Sequence, residues 1–107
     1  MPLRRMTMIA ADNENSGGWF NSYITTSGIS EIHQVPVQPM YAIGTTISGN
    51  GYLDFSVSSI TELEADRGIF QPWDGVAQIN PAVTGFRVVS TSGLVTANVT
   101  VKTTHAS

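Results

Sequence analysis

Side chains able to do chemistry are scarce in this chain. Its 107 residues include eight Asp or Glu, two His and no Cys, which excludes disulfides, thiolate metal sites and a cysteine nucleophile. The densest acidic group is Glu62, Glu64 and Asp66. In extended backbone these three would share a face, and three carboxylates can begin a calcium site. Calcium loops also need glycine and backbone carbonyls at fixed spacing, which this run lacks, so it reads as a solvated acidic turn and no metal is expected. The histidines are His33 and His105, and neither is accompanied by a G-x-S-x-G nucleophile elbow. A glycosidase would need two carboxylates held at a set separation across a sugar, and the sequence singles out no such pair. No glycine-rich run has phosphate-loop or dinucleotide spacing. The chain therefore reads as a non-enzyme, with no catalytic residue and no cofactor.

Aromatic residues carry the remaining possibilities. Trp19, Trp73 and Tyr52 offer flat rings that could stack on the apolar faces of pyranoses. The same rings more commonly anchor a core or a subunit interface, where each buries about 150 to 250 Å². Residues 68–81 contain Ile69, Phe70, Trp73 and Val76 among Gly, Pro and Asp, with no alternation that would give them all places in one core. Trp19, Phe70 and Trp73 are therefore the expected interface residues, with at least one of Phe70 and Trp73 touching another chain.

These side chains must be positioned by strands. Charged residues make up 12% of the chain, about half the usual share, while Ser, Thr, Gly, Val and Ile are abundant. That is the composition of a β protein with a polar, weakly charged skin. A net charge of −3 with five Lys or Arg leaves no footprint for nucleic acid or for an anionic membrane. No signal peptide and no membrane-spanning run is evident.

The clearest alternation runs through residues 82–103. Val95, Ala97, Val99 and Val101 alternate with Thr96, Asn98, Thr100 and Lys102, as in a strand with one buried face. Phe86 and Val88 precede a turn signal at Thr91-Ser92-Gly93, which predicts a hairpin. An even-numbered loop would set Val88 against Ala97, Phe86 against Val99 and Thr84 against Val101, whereas a three-residue loop would oppose Phe86 to Asn98. A second hairpin is expected over residues 40–60 with Gly49-Asn50-Gly51 at its tip, pairing Ile47 with Leu53, Thr45 with Phe55 and Ile43 with Val57. The predicted core is Leu53, Phe55, Val57, Phe86, Val88, Ala97, Val99 and Val101.

Elsewhere, residues 3–10 read as a first strand, 12–18 as a loop or arm joint and 19–26 as a further strand. Residues 29–35 suit a sheet edge, because Pro36 and Pro39 follow. Thr61 and Glu64 form a capping-box pair that could start one helical turn, with Gly68 to end it. The sum is all-β: an antiparallel β-sandwich of jelly-roll or immunoglobulin-like type over residues 19–107, with an N-terminal arm over residues 1–18.

Residues 40–104, with GYLDFSVSSI, the loop FQPWDG and then INPAVTGFRVVSTSGLVTANVTVKT, resemble in texture the small β-sandwich structural proteins of tailed-phage virions: head decoration, neck or tail components. The resemblance implies a non-enzymatic protein made in the host cytoplasm and repeated in a symmetric particle. Its partners would be its own copies and other virion proteins. The alternative is a carbohydrate- or receptor-binding β-sandwich module.

Overall fold

The computed structural model describes residues 3–11, 18–35, 40–73 and 83–103. Residues 12–17 of the expected 12–18 loop, Pro36, Pro39, Val76 and His105 lie outside them, and Gly18 begins a strand. Among the described residues the fold is all-β, apart from one short helix.

The alternating stretch near the C-terminus is a single strand, β7 (Gly85–Thr103), and it is the axis of the molecule. Along one of its edges runs β5 (Met40–Ser56), antiparallel from Met40↔Thr103 to Ser56↔Gly85. Along the other lie β3 (Gly18–Thr26) and β4 (His33–Gln34), both antiparallel to it. The two expected hairpins are thus replaced by one long ribbon. Val88 faces Leu53 rather than Ala97, and Phe86 faces Phe55 rather than Val99. Ile47, Thr45 and Ile43 face Ala97, Val99 and Val101, not Leu53, Phe55 and Val57, and Thr84 precedes β7. Alternation fixes which side chains point inward; it leaves open which strand lies alongside.

The ribbon folds back on itself. Ser22 on β3 pairs with Val99 and His33 on β4 pairs with Phe86, yet Ser22 Oγ and His33 Nδ1 are 2.9 Å apart. A straight strand from Phe86 to Val99 would span roughly 40 Å. The bend is made at the former turn signals. Between Ser48↔Thr96 and Gly51↔Ser90 the register shifts, β5 advancing three residues while β7 uses six. An odd excess reverses the inward parity, so Phe86 and Val88 point into the core before the corner and Val95, Ala97, Val99 and Val101 after it. Two glycines permit the close approach. Gly49 has φ +104°, and a Cβ on Gly51 would lie 2.5 Å from the Val89 carbonyl oxygen.

Folding the ribbon closes one core. It contains Met6, Phe20, Ile24, Val35, Ile43, Leu53, Val83, Phe86, Val88, Val95, Ala97, Val99 and Val101, with Ile47, Phe55 and Trp73 packed against it. Val57, predicted inside, lies beyond the end of β5 and is 45% exposed. The N-terminal stretch belongs to the sheet. β1 (Arg4–Arg5) pairs in parallel with β4, β2 (Thr7–Ala11) pairs antiparallel with β3, and Met6 between them is buried in the core. One continuous polypeptide therefore ties the two halves of the folded sheet together. The sheet is mixed rather than wholly antiparallel. Residues 33–34, expected at an edge, lie between β1 and β7.

The helical turn exists as α1 (Ile60–Glu64), but Ser59 caps it, its Oγ accepting from Glu62 N, and not Thr61. It ends through Asp66 at φ 64°, two residues before Gly68. Leu63 turns into the interior and is fully buried. Part of the expected loop that follows is a strand, β6 (Phe70–Pro72), paired with β5. Alternation could not announce a three-residue edge strand ending in proline.

Candidate functional site

A cleft opens where the sheet fails to close. β2 covers β3 only from Gly18 to Asn21, after which the chain crosses at Met6 to pair with β4. The outer edge of β3 from Ser22 to Thr26 is left without a strand partner among the described residues. The chain bends at Ser27-Gly28, and Ile29 bridges to Val89, so β3 and the segment leading to β4 diverge as a wedge. The wedge holds a cleft of about 470 Å³ lined by Tyr23 to Thr26, Ile29 to Glu31, His33 and Arg4.

His33 forms the inner end of this cleft. It is buried, its ring stacked on Phe86 with centroids 6.1 Å apart, and its Nδ1 meets Ser22 Oγ. Burial lowers its pKa, the Arg4 charge lowers it further, and Glu31 opposes them. The imidazole is therefore neutral at neutral pH. At the rim, Arg4 Nη2 lies 3.2 Å from Glu31 Oε1, an exposed pair. Ser30 Oγ donates to the Glu31 carbonyl and accepts from Val88 N, fixing the wall. A serine touching a histidine is the beginning of a nucleophile and base, but the cleft's carboxylate is held by Arg4 and both Ser22 and His33 are buried. The pair is explained as two interior polar groups satisfying each other.

The other predicted residues are spread over the surface. Trp19 is 41% exposed on the outer face of β3, with Lys102 Nζ 4.3 Å from its ring centre. Phe70 is half-buried beneath the Arg87 guanidinium at 3.8 Å, and Arg87 Nε lies 3.4 Å from buried Asp54. Trp73 packs against the core and its backbone N–H donates to the Leu53 carbonyl. Tyr52 stands opposite Val89, in the other half of the ribbon from Trp19. The three rings proposed as one sugar platform, Trp19, Tyr52 and Trp73, therefore do not share a face. Glu62 is bonded to Arg67 at 2.9 Å, and among the described residues no group of three or more His, Asp or Glu side chains gathers around a metal position.

Sequence reasoning missed Ser22, Tyr23, Arg4 and Glu31. Nothing local marks them, since the cleft exists only because β2 leaves the edge of β3. No helix among the described residues is long and apolar enough to cross a membrane. Comparison with protein-family models, curated proteins and solved structures found no match.

Proposed function

We propose that this chain is a non-enzymatic structural subunit of a phage or phage-like particle, acting by burial of its surface against copies of itself and other particle proteins. The folded-over sheet would serve as a rigid, sandwich-like block. The observation that carries the reading is strand β2, whose outer edge has no strand partner among the described residues. It has no charged residue, and Met8 and Ile9 on it are 51% and 59% exposed, beside exposed Trp19 on β3. Strand edges are templates for association, and proteins that stay monomeric blunt them with charge, proline or brevity. The two-residue β1 is charged, and the three-residue β6 ends in proline. Among the described residues β2 carries one such device, the bulge between Met8 and Ala10. The resemblance of residues 40–104 to small virion proteins supplies the kind of assembly. Of the three expected interface residues, Trp19 lies beside this edge, while Phe70 and Trp73 are half-buried against their own chain.

The test is Ile9→Lys and Trp19→Ala, read by light scattering of the purified subunit, by incorporation into particles and by thermal melting. Loss of an interface anchor should weaken association by about 30-fold with an unchanged melt. Wild-type protein that stays monomeric and enters no particle would contradict the reading.

A further inference from the structure

We infer that the cleft between β3 and β4 is a binding site for one neutral pyranose unit, either a free sugar or the terminal residue of a glycan. Its volume of about 470 Å³ lies within the range of small-molecule sites. Charge decides the ligand class. Arg4 and Glu31 on the rim are paired with each other, and His33 at the inner end is kept uncharged by burial, so the site holds no surplus of either sign to attract an ion. Its polar groups are those that suit hydroxyls. Tyr23 and Thr25 of β3 line one wall. His33 closes the inner end as a buried lining residue whose Nδ1 is bonded to Ser22 Oγ. The unclaimed edge of β3 adds backbone N–H and C=O groups. The apolar contribution comes from Tyr23 and Ile29, 68% and 62% exposed, with buried Ile24 behind them. A sugar ring has this mixed character, with an apolar C–H face and hydroxyls around its rim. The inference is independent of the assembly reading, because the cleft uses none of Met8, Ile9 and Trp19.

The experiment is NMR titration of the full chain with the methyl glycosides of glucose, galactose, mannose and N-acetylglucosamine, followed by a glycan array. At least one glycoside should shift the Tyr23, Ser30 and His33 signals, and Tyr23→Ala should weaken its binding about tenfold without changing the melt. Trp19→Ala should leave binding intact. Array binding of extended glycans that end in the same sugar would identify a glycan terminus as the source, and its absence a free sugar. No shift with any glycoside, or shifts confined to Trp19, Tyr52 or Trp73, would overturn the inference.

Discussion

His33 occupies the place where the two halves of the folded sheet meet, and its protonation is coupled to that meeting. Burial, then Arg4, holds its pKa below the ordinary 6.5, against the pull of Glu31. Below that pH the unfolded chain binds a proton that the folded protein refuses. Stability is then complete above pH 6.5 and is lost as the pH falls through it toward the lowered folded value. Melts taken between about pH 7.5 and 5.5 should decline, and His33→Gln, which can still bond Ser22, should flatten the slope; an unchanged slope would assign it to other groups. Two threonines make a second test at this scale. Thr45 Oγ1 is buried without a partner among the described residues, whereas Thr103 Oγ1 accepts from Gly18 N and donates to Gly18 O. Thr45→Val should leave stability unchanged or raise it by up to about 1 kcal/mol, and Thr103→Val should cost about 1 to 3 kcal/mol. Chemical denaturation of the two variants checks the contrast. Neither difference was legible in the sequence, where both are threonines on the inward parity.

At the scale of elements, what the sequence conveyed was periodicity, and what it withheld was partnership. The inward residues of β7 were readable one by one, and all of Phe86, Val88, Ala97, Val99 and Val101 are buried. The turn signals at Gly49-Asn50-Gly51 and Thr91-Ser92-Gly93 are real as well, but they lie side by side at one corner of a ribbon. A glycine-rich turn bends a chain whether or not its two arms then pair, and no local residue distinguishes the outcomes. The N-terminal stretch carries the opposite lesson. Its alternation is weak because β1 and β2 are short and a bulge interrupts them, yet Met6 reaches the core. Met6→Ala should cost about 2 to 5 kcal/mol in urea unfolding, as for a buried core methionine. A cost near zero would make residues 1–11 a detachable arm.

The molecule as a whole is a block with extents of 42 × 28 × 22 Å, and of the unpaired edges among its described residues, which include the outer edge of β5 from Met40 to Tyr52, two bear on function. One is the cleft beside β3, which no alternation could reveal because it depends on where β2 departs. The other is the uncharged edge of β2 itself, whose composition TMIAA was visible in the sequence but whose place at the end of the sheet was not. The assembly reading makes that edge the buried surface of the particle. Backbone hydrogen exchange, compared between the isolated subunit and the subunit within its oligomer or particle, tests this most directly. The account predicts that amides of Thr7–Ala11 and the adjoining part of β3 exchange more slowly on assembly. Unchanged exchange along β2, with protection appearing instead around Phe70 and Trp73, would contradict it.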